Sequence, residues 1–244
     1  MTPSPSKPFS KTFIDNVFTQ AAPFYDRMNT WMSLGLHHTW KDVFVQAINW
    51  QALAPQKKLT FLDMACGTGD IAARLMQKSH FYKLTPNMTL ADKNEAMLLK
   101  GQEKHPFKQW TWCTQDAEKL SFKKNMFDLY TIAFGLRNVP DKKAALSEAL
   151  RVLKPGGFFY CLEFSQPQKP LFNFLYQGYL KTWIPLLALT LTNTPAAYRY
   201  LTDSIQTFPK ATLLEEMLLQ TGFHQTGFQL LHEGIVAIHW GQKP

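Results

Sequence analysis

The run Leu62-Asp63-Met64-Ala65-Cys66-Gly67-Thr68-Gly69-Asp70 has residue types and spacing suited to holding a small ligand. Gly67 and Gly69 let the backbone turn sharply and allow a ligand to approach it closely. Asp63, just ahead of the turn, can orient the loop and direct hydrogen bonds toward a cationic amine. Short glycine loops also serve NAD and FAD sites, but the dinucleotide spacing G-x-G-x-x-G is not kept. Position 72 is Ala72, and the acidic residue precedes the loop. A phosphate cradle of the form G-x-x-x-x-G-K-[ST] does not occur. Asp92 closes the next apolar stretch, where a carboxylate can accept bonds from both ribose hydroxyls. Asp116-Ala117 follows the third, in the place where an adenine amino group would be read.

Elements of alternating type must position these residues. Leu59–Met64, Met88–Asp92, Trp110–Thr114, Phe127–Ala133 and Phe158–Glu163 read as strands, with helices over Asp70–Lys78, Glu95–Gln102 and Asp141–Leu153. Lys154-Pro155-Gly156-Gly157 stops the last of these helices, because Pro and Gly cannot continue it. Thr212–Gln220 is a further helix, and Phe223–Leu231 pairs with Ile235–Trp240 through Gly234. Such alternation predicts a doubly wound, mostly parallel α/β sheet whose closing hairpin adds one antiparallel strand. Before it, Phe9–Gln20 and Thr30–Asn49 carry helical apolar patterns, the second through Trp31, Leu34, Trp40, Phe44 and Ile48. Residues 170–207 interrupt the alternation with an aromatic-rich helical insertion. The organisation expected is a tail over 1–8, then a single domain over 9–244, with N-terminal helices over 9–50 and a cap over about 170–207.

Composition narrows the setting. The 244 residues suffice for one α/β domain, and the 45% apolar content is that of a globular chain. The net charge of +8 suits an acidic partner such as nucleic acid, an anionic membrane or a charged cofactor. Its lysines are scattered among acidic residues, so no nucleic-acid surface is expected. Cys66, Cys113 and Cys161 show neither metal-ligand spacing nor a disulfide framework, so no metal is expected and a reducing cytoplasm is the simplest compartment. Residues 1–8 lack the apolar core of a secretory leader. The longest uncharged stretch, Thr182–Tyr198, is broken by Pro185, Asn193 and Pro195, so no spanning helix is expected.

The arrangement of Asp63, the glycine turn, Asp92 and Asp116 resembles class I S-adenosylmethionine methyltransferases. That resemblance implies a seven-stranded, Rossmann-like sheet with S-adenosyl-L-methionine over the carboxyl ends of its strands. Further segments are similar to the ubiquinone/menaquinone biosynthesis C-methyltransferase family: residues 25–40 (Tyr25-Asp26-Arg27-Met28-Asn29 through Trp40), Phe134-Gly135-Leu136-Arg137-Asn138-Val139, Arg151 through Gly157 with Leu162-Glu163-Phe164-Ser165, and Tyr198-Arg199-Tyr200-Leu201 followed by Ser204-Ile205. The resemblance runs from about Phe18 to Trp240. It implies C-methylation of a prenylated quinol ring, either demethylmenaquinol or a polyprenyl methoxybenzoquinol. By the same resemblance Thr68, Asp92, Asp116 and Ala117 contact the cofactor. Ala133 departs from the family's frequent Ser there, a loss of one hydrogen bond worth ~1 kcal/mol.

Methyl transfer to carbon needs an electron-rich ring carbon aligned with the sulfonium methyl. Deprotonating a quinol hydroxyl supplies that carbon, and alignment with preorganised charge supplies most of the acceleration. Arg137 and Asn138, after the fourth strand, are the candidates for phenolate stabilisation or water positioning, since arginine stays protonated. Tyr25, Asp26, His37 and Tyr200 are candidates for quinol binding or proton removal, with anchoring of the N-terminal helices as the alternative role of Tyr25 and His37. The aromatic insertion, from Leu171 to Leu187, suits an isoprenoid tail and peripheral contact with the inner membrane, and equally an ordinary helical core. Contacts with a second copy or with other quinone-pathway enzymes fit a membrane pathway. Two rival activities are disfavoured by missing motifs. A nucleic-acid methyltransferase would carry Asn/Asp-Pro-Pro-aromatic or a Pro-Cys nucleophile, and a nicotinamide oxidoreductase the third glycine. A catalytically silent binding protein on the same fold is the remaining rival.

Overall fold

A computed structural model of the chain describes residues 30, 33–55, 58–167, 169–170, 172, 176, 178–179, 182 and 195–244. Seven strands form one sheet: β1 (Thr60–Met64), β2 (Asn87–Asp92), β3 (Thr111–Thr114), β4 (Phe127–Ala133), β5 (Leu153–Phe164), β6 (His224–Leu231) and β7 (Val236–Gln242). Their order is β3-β2-β1-β4-β5-β7-β6. β1 to β5 pair in parallel, whereas β7 runs antiparallel to both β5 and β6, as the closing hairpin requires.

Alternation along each central strand sends side chains to two cores. Phe61, Leu129, Tyr160 and Leu162 meet helices α1 (Leu36–Ala47), α3 (Asp70–Phe81) and α4 (Glu95–Lys104) on one face. Leu62, Tyr130, Ile132 and Phe159 meet α5 (Lys142–Val152) and α7 (Ala211–Thr221) on the other. Strands buried on both faces need near-continuous apolar runs, which is why β1 and β4 were legible as Phe-Leu-Asp-Met and Phe-Asp-Leu-Tyr-Thr-Ile-Ala. The short α2 (Trp50–Leu53) is capped by Asn49, whose Oδ1 accepts the Ala52 amide. α4 and α5 begin with Asn94 and Asp141, whose side chains accept the Met97 and Ala144 amides and satisfy donors the helix leaves open. α6 (Pro195–Thr207) belongs to the cap.

Two expected boundaries differ by five residues or more. The helix read from Thr30 to Asn49 is interrupted: Thr30 is helical, but Leu34 and Gly35 both take left-handed backbone, and α1 begins only at Leu36. The fifth strand starts at Leu153 instead of Phe158. Buried Leu153 pairs with Phe127, and the Lys154–Gly157 turn becomes a bulge before pairing resumes between Leu129 and Phe158. The first expected helix and half of the cap lie outside the described residues. Among the described residues, no helix is long and apolar enough to cross a membrane.

One core residue makes the fold pH-sensitive. His239 on β7 is buried, packs its ring 5.8 Å from that of Phe228, and leaves Nδ1 without a hydrogen-bond partner among the described residues. Burial lowers its pKa from 6.5 to about 4. Above 6.5 it is neutral in both states. Between 6.5 and 4 only the unfolded chain takes the proton, so stability falls as the pH drops through that window, by about 3 kcal/mol. Comparing urea midpoints of the unaltered protein and His239→Leu at pH 7 and pH 4 cancels carboxylates common to both. The variant should gain relative stability on acidification by roughly that amount.

Candidate active site

A cleft opens over the carboxyl ends of β1, β2 and β4. Of the positions expected to hold a cofactor, Gly67, Asp92, Asp116, Ala117 and Ala133 line it. Gly67 has φ +55°, and a Cβ placed on it would meet nothing within 4 Å. The glycine is therefore required by backbone conformation, and its missing side chain leaves room on the cleft side. Ala65 and Phe134, which line the same cleft, also hold positive φ angles of 52° and 54°. Strained backbone of this kind gathers at ligand sites.

Asp92 ties the loop to the sheet. Its Oδ2 accepts the Gly67 amide at 2.8 Å and its Oδ1 the Asn94 amide at 2.9 Å. Each carboxylate oxygen has capacity for another bond, which suits two ribose hydroxyls. Burial raises its pKa, opposed by the backbone amides of Asn94, Gly67 and Lys93. Asp116 accepts from Lys93 Nζ at 2.9 Å and from the Glu118 amide at 3.0 Å, which places a half-exposed ion pair at the cleft's edge.

The other expected cofactor residues stand behind the cleft. Asp63 is buried; its Oδ1 accepts from Thr131 Oγ1 at 2.8 Å, and its Oδ2 has no hydrogen-bond partner among the described residues. Burial lifts its pKa to about 7; the Thr131 hydroxyl and the Ala72 amide pull the other way, and the charges of Asp92 and Asp70 add to the rise. A nearby cation would favour the ionised form. Thr68 is buried and does not line the cleft. Gly69 allows close packing: a Cβ there would sit 2.8 Å from the Trp112 ring.

Arg137 and Asn138 form the short 3-10 turn Leu136–Asn138 after β4. Asn138 lines the cleft, and its Oδ1 accepts from Tyr200 Oη on α6 at 2.8 Å. The structure thus brings Tyr200 to Asn138, across 62 residues of sequence. The Arg137 guanidinium lies beneath, paired with buried Glu163 at 2.9 Å and stacked 5.2 Å from the Phe164 ring. His37 does not join this group: it is buried on α1, with Nδ1 2.8 Å from Ser33 Oγ and its ring 3.9 Å from that of His38. α1 instead reaches the site through Trp40, which packs against Phe134 and Phe164 and donates Nε1–H to His232. Lys41 on α1 pairs with Asp70 at 2.7 Å, at the start of α3, and holds that carboxyl down at about 2 against the opposing effect of burial. Tyr25 and Asp26 lie outside the described residues.

Sequence reasoning passed over Asn94, Met97 and Glu118 as cleft residues, and Glu163 as the partner of Arg137. Asn94 carried a signal, being a helix N-cap type directly after the acidic strand end. Met97 and Glu118 carried none.

The donor set fits a cationic nucleoside. A strand-end carboxylate has capacity to spare, a glycine leaves space at its Cβ, and a buried carboxyl with an unpartnered oxygen stands behind the loop. Solved structures share the fold. An S-adenosylmethionine-dependent methyltransferase from Thermotoga maritima, described as a possible histamine N-methyltransferase, aligns with TM-score 0.63 at 15% identity over 94% of this chain and 99% of its own. Haemonchus contortus phosphoethanolamine N-methyltransferase 2 in complex with S-adenosyl-L-methionine aligns with TM-score 0.57 at 16% identity, over 80% of this chain and 53% of its own. The fold is that of class I S-adenosylmethionine-dependent methyltransferases.

Sequence relatives narrow the class. The model of the ubiE/COQ5 methyltransferase family matches residues 7–243. Proteins named ubiquinone/menaquinone biosynthesis C-methyltransferase UbiE are 42% identical in Rickettsia akari, over 94% of this chain and 92% of the relative, and 43% identical in Zymomonas mobilis, over 97% and 95%. The chain belongs to the ubiE/COQ5 methyltransferase family.

Two substitutions test the cofactor end. Gly67→Ala should cost only about 1–2 kcal/mol of stability, the usual penalty for a side chain in left-handed backbone. It should nevertheless weaken S-adenosylmethionine binding at least tenfold by filling the cleft side. Asp92→Ala should weaken binding by about 1.5–3 kcal/mol, the scale of a hydrogen bond to a charged group. Calorimetric titration beside thermal melting separates the two effects; a Gly67→Ala protein with normal affinity would place the cofactor away from this loop.

Proposed function

We propose that this protein transfers a methyl group from S-adenosylmethionine to a ring carbon of a prenylated quinol in menaquinone biosynthesis, ubiquinone biosynthesis or both. The observation that carries the reading is the Arg137-Asn138 turn at the cleft, with Asn138 on its wall and a buried guanidinium directly behind. The names of the relatives in Rickettsia akari and Zymomonas mobilis support it.

S-adenosylmethionine supplies an electrophilic methyl carried on a sulfonium. The remaining tasks fall to side chains of this chain. The quinol hydroxyl gives its proton to water, charge moves from oxygen onto the ortho carbon, that carbon bonds the methyl as the methyl–sulfur bond breaks, and the ring proton returns through water to the oxygen, restoring the aromatic quinol with one proton released overall. Arg137 stabilises the oxygen charge as it develops; a guanidinium in a water-poor setting does so strongly, because little solvent screens it. Asn138, steadied by the Tyr200 hydroxyl, orients the ring. Phe134, Phe164 and Trp40 pack against one another beside the turn and keep water from the reacting carbon. His37 takes the anchoring role, and Tyr25 and Asp26 remain the quinol-binding candidates of the N-terminal segment.

A lipid tail fits the aromatic insertion, and tail and cap together would hold the protein at the surface of the inner membrane, with the rest in the cytoplasm. Association with a second copy or with neighbouring enzymes of the pathway suits such a location.

Labelled methyl transfer to reduced, prenylated demethylnaphthoquinol and to the corresponding 6-methoxybenzoquinol, run side by side, tests the reading. Product from either is expected; none from either, with cofactor binding intact, would refute the quinol assignment. Arg137→Ala should lower kcat by about 10²–10³-fold, the usual loss for one transition-state donor, with cofactor affinity unchanged.

A further inference from the structure

Glu163 has no part in the mechanism above, yet its surroundings are costly. Its side chain is 0% exposed and that of Arg137 only 6%. A buried ion pair is rarely the most stable way to fill a core, since desolvation offsets much of the attraction. A pair kept at the edge of a catalytic cleft therefore calls for a functional reason. Glu163 grips the whole turn. Its Oε1 accepts from Arg137 Nη1 and from the Phe164 amide, both at 2.9 Å, and its Oε2 accepts the Arg137 backbone amide at 3.1 Å. Arg137 Nη1 also donates to the Phe134 carbonyl, and its guanidinium lies over the Phe164 ring. Backbone and side chain of Arg137 are thus fixed by one carboxylate.

We propose that Glu163 is a positioning residue for this reaction: it fixes the Arg137 guanidinium and neutralises it until charge develops on the quinol oxygen. The inference rests on the quinol reading above. An unopposed buried cation would hold the anion's charge on its oxygen, leaving less of it on the ring carbon than a matched pair does. A neutral pair admits the neutral quinol and spends its attraction on the transition state, where it raises kcat. Other ionisable groups act on the pair: Lys142 on α5 and Cys161 on β5 sense the Glu163 charge, and Tyr176 of the cap senses both partners. Tyr200 on α6 reaches the adjoining Asn138, and β7 places only Ala237 opposite Glu163.

The test measures kcat, both KM values and the pH profile of kcat for the unaltered protein, Glu163→Gln and Glu163→Asp, beside thermal melting and cofactor titration. Glu163→Gln keeps shape and removes charge. Its kcat should fall about 10²-fold, as for a misplaced catalytic group. The rising limb of its pH profile should move about one unit lower, because an uncompensated cation favours the phenolate. Cofactor affinity should stay unchanged. Glu163→Asp keeps the charge but withdraws it by one methylene, so kcat should fall with the limb unmoved. Activity lost only in proportion to unfolding, with the Glu163→Gln limb in place, would overturn the assignment, as would near-normal kcat in either variant. If Glu163→Gln does not fold, Glu163→Asp decides by its kcat. Quinol methylation by the unaltered protein with an unmoved Glu163→Gln limb sinks the positioning role alone; no quinol methylation at all removes both readings.

Discussion

Between β1 and β4 the chain leaves a parallel sheet in opposite directions. α3, after β1, packs on one face, and α5, after β4, packs on the other. The carboxyl ends of these two strands therefore cannot both be covered by their own connections, and a crevice opens between them. Every other feature of the site uses that opening. The Gly67 loop leans into it from β1, Asp92 closes its flank from β2, and Phe134, Gly135 and Asn138 form its far wall after β4. The bond from the Gly67 amide to Asp92 then fixes the loop against the neighbouring strand.

Charge is distributed unequally along this crevice. Its cofactor end is built from carboxyls that burial makes reluctant to ionise, Asp63 above all. A cation arriving there relieves that penalty, so a sulfonium cofactor and the site suit one another. Next to Asn138 of the opposite wall, the buried guanidinium of Arg137 is already matched by Glu163. A cationic cofactor and a neutral ring substrate can thus be placed side by side. Aromatic rings from α1, β5 and the turn after β4 close the space around that end.

The N-terminal helix is bound into this arrangement from two sides. Lys41 holds the first residue of α3, directly after the glycine loop, and Trp40 rests on Phe134 and Phe164.

The sheet was legible from sequence because doubly buried strands need continuous apolar runs, and the glycine turn because only glycine takes its backbone freely. Asp92 and Asp116-Ala117 were legible for a related reason: a residue closing a parallel strand must lie at the ligand end of the sheet. Boundaries set by pairing were less so, as the start of β5 shows, where contact with Phe127 extended the strand through a turn written in Pro and Gly. The catalytic end depended on tertiary structure most of all. Nothing local marks Glu163 as the partner of Arg137 or Tyr200 as the partner of Asn138; each pair meets only because β4 and β5 are neighbours and α6 returns over the turn. Sequence by itself determined which residue types stand at the strand ends, since local sterics and burial periodicity act over a few residues. Tertiary structure alone decided which of their charges face one another, because that depends on strand order and on burial shared between distant segments.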